Sequence, residues 1–291
     1  MKNHPLYKRF ANLYHGVRQT TFDQIGVHFT DKPLAFWSKC AENKNFGDQL
    51  TPYIIHAVRK KRPTWVSPSS AHVHYVFSGS VIKHCMARSV VWGAGLSSVK
   101  RFPSEQPDIR AVRGPITRRL LLENGIECPE IYGDPGLVLP LLYPASRAKA
   151  HRVGVVPHFS EYGRVSEACK KKCPGDVVIV SLTSSVEDVA QSIASCELVV
   201  SSSLHGVIVA HAYGVPAVWV YWDFSARRQD LKFRDYFESV GAFGIRPITL
   251  CLSELIAMGP SSLSELSVLP LSGASPAFLE AFPLKERLSL S

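Results

Sequence analysis

The chain has 291 residues, 46% hydrophobic and 20% charged, with 33 Lys and Arg against 24 Asp and Glu for a formal net charge of +9. This composition excludes a disordered chain and leaves room for two domains of ordinary size. No apolar run approaches the ~20 residues needed to span a bilayer, and the first residues lack the apolar core of a secretory signal, so a cytoplasmic location is expected.

Residues 1–33 read as an extension. Leu6, Phe10, Leu13 and Val17 fall at helical spacing beside Lys8, Arg9 and Arg18. A basic amphipathic helix lying on an anionic membrane surface and a helix packed on its own domain both fit this pattern. From Leu34 the chain alternates between strand and helix signals. Leu34 to Trp37 is a strand candidate, followed by the polar turn Asn45-Phe46-Gly47-Asp48. Thr51 and Pro52 have the character of an N-cap and a first helical residue, and the helix would run to the basic Lys60-Lys61-Arg62 end. Strands are expected at His74–Phe77 and Val90–Trp92, each followed by glycine: Gly79, then Gly93-Ala94-Gly95. Glycine directly after a strand lets a ligand approach the backbone.

Asp108 to Arg113 reads as a further strand, and Gly114-Pro115 opens a helix that closes at Gly125. Arg113 thus stands at a strand end beside a helix N-terminus, where it either grips a phosphate or carboxylate or forms an ordinary salt bridge. Asp134, in Tyr132-Gly133-Asp134-Pro135, either orients a partner or caps the Pro135 turn. Ser146–Ala150 has linker character. A second unit starts near Arg152 with the strand Val153–Val156 ending at His158, then a basic helix, a strand at Val177–Val180 and a helix over Val186–Ser195. The stretch from Leu198 to Pro216 reads as strand, small-residue turn (Ser201-Ser202-Ser203) and helix start, with His205 in the first helical turn. Helix N-termini favour anions and disfavour imidazolium, so a neutral His205 facing an anionic ligand is expected. Val218–Tyr221 is another strand, and Arg227, Arg228, Lys232 and Arg234 form a second basic cluster. Beyond 251 the chain is rich in Ser, Leu and Pro, with one helix over Pro276–Leu288 whose Phe278, Leu279 and Phe282 return to the body.

Strands alternating with helices argue for an α/β protein with parallel sheets covered on both faces. The expected divisions are the extension 1–33, Rossmann-like domains at 34–150 and 151–250 facing a cleft, and a tail 251–291. Seven cysteines, an odd number, exclude a complete disulfide framework, and reduced thiols are the simpler reading. Cys169 and Cys173 have the spacing of half a metal site, but no matching second pair follows, so no metal is expected. The positive charge suits acidic small molecules or a membrane surface. The aromatic and basic patterns of nucleic-acid binders are missing, which places nucleic acid last.

Seven motifs occur in order: Asn45-Phe46-Gly47-Asp48, Gly93-Ala94-Gly95, Val112-Arg113-Gly114-Pro115-Ile116-Thr117, Tyr132-Gly133-Asp134-Pro135, Val153 to His158, Ser202-Ser203-Leu204-His205-Gly206 and Lys232-Phe233-Arg234-Asp235-Tyr236. Together they resemble the polysaccharide pyruvyl transferase family, in particular the bacterial exopolysaccharide branch of the xanthan and succinoglycan ketal-pyruvate transferases. The resemblance spans about residues 34 to 245. It implies a GT-B-like fold and transfer of pyruvate from phosphoenolpyruvate, as a cyclic ketal, onto a sugar hydroxyl pair of a polyprenyl-diphosphate-linked repeat unit, with release of phosphate and no cofactor. That setting implies a place on the cytoplasmic face of the inner membrane.

In the family the turn reads Arg-Leu-His. Here the histidine is His205, and Ser203 stands where the arginine would be. The expected catalytic residues are His205 and His158. Phosphoenolpyruvate would be bound by Arg113, Ser202, Ser203 and Lys232, in a cleft lined by Asn45, Gly47, Asp48, Gly93, Gly95 and Asp134. His211 is expected to be structural. The competing readings are a GT-B glycosyltransferase using a sugar nucleotide and a noncatalytic binding protein of polysaccharide assembly.

Overall fold

The computed structural model describes residues 32–39, 45–173, 175–225, 230–257, 260–269 and 273–284. The expected extension helix, Arg227, Arg228 and the end of the tail helix lie outside the described residues. The first half contains β1 (Leu34–Ala35), α1 (Phe46–Arg59), β2 (Thr64–Trp65), β3 (His74–Val76), β4 (Ser89–Trp92), β5 (Asp108–Ala111), α2 (Pro115–Glu123), a 3-10 turn (Pro135–Val138) and α3 (Leu139–Leu142). The second contains β6 (His151–Val156), α4 (Tyr162–Lys172), β7 (Val177–Ile179), α5 (Val186–Ala194), β8 (Cys196–Ser201), α6 (Leu204–Ala212), β9 (Ala217–Trp222), α7 (Asp230–Ser239) and β10 (Ile248–Leu250). Short helices α8 (Leu252–Ala257), α9 (Pro260–Glu265) and α10 (Pro276–Glu280) follow.

Each half builds a five-stranded parallel sheet. The orders are β2-β1-β3-β4-β5 and β7-β6-β8-β9-β10, the same order in both halves. In such a sheet the chain reverses its winding beside the first strand of the half, and the crevice outside the strand carboxyl ends at that point is the natural ligand position. In the second sheet the register pairs Val156 with Ser201. Consequently His158 and Ser202 leave β6 and β8 side by side, and the His158 backbone N–H donates to Ser202 Oγ at 3.0 Å. The matching position of the first sheet lies between the ends of β1 and β3, where α1 begins and Ser78 and Gly79 follow β3.

One apolar cluster joins the halves. It contains Phe46, Leu50 and Ile54 of α1, Leu137 and Val138 of the 3-10 turn, Val189 and Ile193 of α5, and Val207 and Ile208 of α6. The far faces of the two sheets have separate clusters, around Val76, Val91 and Ile109 and around Val155, Val200 and Val220. The tail closes over the first half. Phe278 stacks on Trp92 with centroids 4.2 Å apart, Phe282 meets the same indole edge-on, and Trp92 Nε1 donates to the Phe278 carbonyl.

Three expectations need correction. Helix α1 starts at Phe46, not after Thr51, and Pro52 lies inside it. Phe46 is fully buried, and its backbone N–H donates to the Leu182 carbonyl of the other half at 2.8 Å. That anchor draws the helix start forward, while Pro52, lacking an N–H, leaves the Asp48 carbonyl without its helical donor. Cys169 and Cys173 are joined in a disulfide at the end of α4, so they are not reduced thiols. Finally, the tail carries three short helices where one was expected, and α10 ends at Glu280, after five residues, instead of continuing to Leu288.

Candidate functional site

His205 is the second residue of α6, whose helix is apolar nearly all round because it is buried on several sides. Its ring crosses to the first half. Nε2 lies 3.3 Å from Ser78 Oγ and 3.9 Å from Asp134 Oδ2, the latter too long for a hydrogen bond. Gly47 makes room for it: a Cβ there would sit 2.1 Å from His205 Cε1 and 2.2 Å from Nδ1. The side chain retains 14% exposure. Burial, then the positive charges of Lys232 and Arg113, push its pKa down to about 3, so the ring is neutral at neutral pH.

Around the ring, Asn45 Nδ2 donates to Asp48 Oδ2 at 3.1 Å. Burial raises the Asp48 carboxyl, while Asn45 and Lys232 oppose the shift. Asp134 caps the 3-10 turn by accepting the Gly136 N–H at 2.9 Å, and burial lifts its pKa to about 6 despite that bond. Asp134 thus caps the turn, while its other oxygen faces His205 at a distance too long to orient the ring by a hydrogen bond. Gly93 serves the backbone: with φ 91°, a Cβ would fall 2.6 Å from Pro135 Cδ.

Arg113 is 1% exposed and forms the joint between halves. Nε donates to Asp235 Oδ2 at 3.0 Å, Nη2 lies 2.9 Å from the same oxygen and donates to the Leu96 carbonyl at 2.6 Å, and Nη1 donates to Ser80 Oγ at 3.2 Å. Gly95 lets the guanidinium in, because a Cβ would lie 2.5 Å from Cζ. Asp235 of α7 also accepts from the Thr117 N–H and hydroxyl, each at 2.7 Å. Gly114, the N-cap residue of α2, brings no capping side chain, so Asp235 supplies the cap from the other half. Gly114 is needed there, since a Cβ would overlap the Asp235 carbonyl.

A cavity of about 520 Å³ opens outside the carboxyl ends of β6, β8 and β9. His158, Glu161, Arg164, Ser202, Ser225 and Lys232 contribute its polar lining, and Phe159, Phe224 and Phe233 are among its apolar walls. Ser202 is saturated as a hydrogen-bonding group. It accepts from the His158 N–H and from Trp222 Nε1 at 3.1 Å, and donates to Glu161 Oε2 at 2.6 Å. Ser225 donates to Glu161 Oε1 at 2.5 Å. Glu161 thereby ties the three loops that wall the cavity. His158 Nδ1 is 2.8 Å from Ser160 Oγ.

Ser203 is buried at the N-cap of α6. It makes no side-chain cap, and its N–H donates to Ser201 Oγ at 3.0 Å. Lys232 links the two regions. It lines the cavity, and its charge is felt by both His205 and Asp48. Burial, with Arg113 adding to it, lowers its pKa to about 8 against the opposing pull of Asp48 and Glu161.

The structure thus brings His205, Gly47, Asp134, Asn45, Asp48 and Lys232 together between the halves, and places His158, Ser202 and Lys232 on the cavity. Neither His205 nor Arg113 lines that cavity. Ser78, Glu161, Arg164 and Asp235 belong to the region and carried no role in the sequence reading. Only Asp235 stood within a recognised motif. His211 is structural, bridging Tyr236 OH at 2.9 Å and the Val268 carbonyl at 2.8 Å. Among the described residues no group of three or more His, Cys, Asp or Glu could hold a metal ion, and no helix is long and apolar enough to cross a membrane.

The family model described as polysaccharide pyruvyl transferase matches residues 37–224. Uncharacterized protein L143 of Acanthamoeba polyphaga mimivirus is 30% identical over 204 residues, covering 68% of this chain and 71% of its own. Among solved structures, MurG of Acinetobacter baumannii aligns over 67% of this chain at 14% identity with a TM-score of 0.32. The chain spans 63% of the MurG chain.

Proposed function

Because the chain belongs to the polysaccharide pyruvyl transferase family, we propose that it moves pyruvate from phosphoenolpyruvate onto two hydroxyls of a sugar in a lipid-linked exopolysaccharide repeat unit. The product is a cyclic ketal, as in the xanthan and succinoglycan branch, and phosphate is released. The two halves act as facing Rossmann-like domains of GT-B type, working at the cytoplasmic face of a membrane that holds the acceptor. The observation that supports this best is the seating of His205: a largely buried, neutral imidazole carried by one half against Gly47 and Ser78 of the other, within the field of a lysine.

The chemistry follows from that setting. The methylene carbon of the donor takes a proton, and charge like that of an oxocarbenium ion develops on the neighbouring carbon. One sugar hydroxyl adds there, phosphate leaves with the carbon–oxygen bonding pair, and the second hydroxyl closes the ketal. Of the two hydroxyl protons, one is matched by the proton gained at the methyl group and one ends on phosphate. A neutral His205 is suited to accept a hydroxyl proton. An anionic donor would offset Lys232 and Arg113, the two cations that hold the ring's proton affinity down, so binding prepares the same ring to carry a proton. Lys232 faces the donor's acidic groups. Arg113 adds its field from behind while Asp235 holds it, and the N-terminus of α6 turns its positive end toward the same anion.

A thermal-shift comparison tests the donor. Phosphoenolpyruvate is expected to raise the melting midpoint, and a nucleoside-diphosphate sugar is expected to leave it unchanged. The reverse pattern would support a sugar-nucleotide glycosyltransferase instead.

A further inference from the structure

The 520 Å³ cavity is lined by a second cation besides Lys232. Arg164, on the first turns of α4, lies with its guanidinium carbon 3.9 Å from the centroid of Phe224. Phe224 is in turn nearly parallel to Trp222, at an interplanar angle of 10°. A guanidinium held over an aromatic ring spends none of its N–H groups on that contact, so they remain able to form charge-assisted bonds to a carboxylate or phosphate. Among the described residues Arg164 has neither a carboxylate partner nor a hydrogen bond. The cavity's carboxylate, Glu161, is directed elsewhere, with each oxygen accepting a serine hydroxyl. A half-buried lysine and an exposed arginine seated over an aromatic ring, both on one cavity, are suited to a small ligand with two acidic groups.

We propose that Arg164 is a donor-binding residue, gripping one acidic group of phosphoenolpyruvate in this cavity while Lys232 meets the other. This rests on the donor reading given above, and it adds a contact that no motif in the chain announces. Ser203, buried and without a charge, offers no such grip.

Calorimetric titration of the full chain with phosphoenolpyruvate tests the assignment, using the wild type, Arg164→Met and Arg164→Lys. A charge-assisted contact contributes about 1.5–3 kcal/mol, which corresponds to a roughly 10- to 150-fold rise in Kd for Arg164→Met. Arg164→Lys should fall between, because an ammonium keeps the charge and loses the planar fork. The melting midpoint should stay within about a degree of wild type, as the side chain is exposed. Wild-type binding with an Arg164→Met Kd within twofold of it would overturn this assignment alone. No phosphoenolpyruvate binding by the wild type would overturn the donor reading and this inference with it.

Discussion

At the residue scale, the site depends on one atom that is missing. Gly47→Ala places a methyl group inside the space of the His205 ring, so the imidazole must move. A displacement near 1 Å at a reacting group costs about a hundredfold in rate. Turnover of Gly47→Ala should fall by about that factor while the fold survives, as circular dichroism and steady-state assay would show. His205→Ala should lose turnover with little change in melting midpoint. Equal activity in either variant would remove His205 from the chemistry.

The buried histidines also set a pH dependence. His211 is held near pKa 4 and His205 near 3, both by burial. Above about pH 6.5 both are neutral in folded and unfolded chains. Below it the unfolded chain takes protons that the native rings refuse, so stability falls as acid is added, by about 1.4 kcal/mol per pH unit for each ring. Asp134, raised to about 6, acts in the opposite sense below that pH. These three groups together should lose about 2 kcal/mol from pH 7 to 5, the buried His74 acts in the same sense as the two rings, and a His211→Gln variant should show a shallower slope by denaturant titration.

His205 was legible because a short apolar strand, three serines and a helix start fix its place within one local stretch. Ser78, Glu161 and Asp235 were not. Their partners lie far away in sequence, 127 residues for Ser78 and His205 and 122 for Asp235 and Arg113. No local spacing encodes such a pair.

At the element scale, α7 and α2 are joined by a buried charge. Asp235→Asn would leave the Arg113 guanidinium without its counter-charge and weaken the cap on α2. Breaking a buried pair from one side costs about 3–5 kcal/mol, so the melting midpoint should drop sharply. A double Arg113→Met, Asp235→Asn variant should recover part of that loss. If Asp235→Asn melts with the wild type, this joint does not hold the halves. The same element shows why Arg113 is ambiguous in sequence: an arginine before Gly-Pro at a helix start is what an anion site needs, and also what a capped joint needs. Most helices and strands were readable from apolar runs and caps. The misplaced start of α1 was not, because Thr51-Pro52 imitates a helix opening while the signal that prevails, burial of Phe46 against the other half, is tertiary. The two-residue β2 is too short to carry a pattern of its own.

At the scale of the whole molecule, two sheets of identical strand order place their winding reversals toward a shared region, with His205 spanning it. Sequence alone showed two α/β units. It did not show that α1, α5 and α6 pack into one cluster, nor that the tail seals the first half through Phe278 and Trp92. Phe278→Ala should cost about 3–5 kcal/mol, measured by chemical denaturation, and a loss below about 1 kcal/mol would mean that the tail only rests on the surface.

Ketal transfer by a histidine held between the halves can be followed by incubating the full chain with carbon-labelled phosphoenolpyruvate and membrane-extracted lipid-linked saccharides, then weighing the saccharide by mass analysis. The expected result is label in the saccharide as a ketal-linked pyruvate, release of one phosphate per transfer, and loss of both with His205→Ala. Phosphate release without saccharide label, or labelling that persists in His205→Ala, would contradict it.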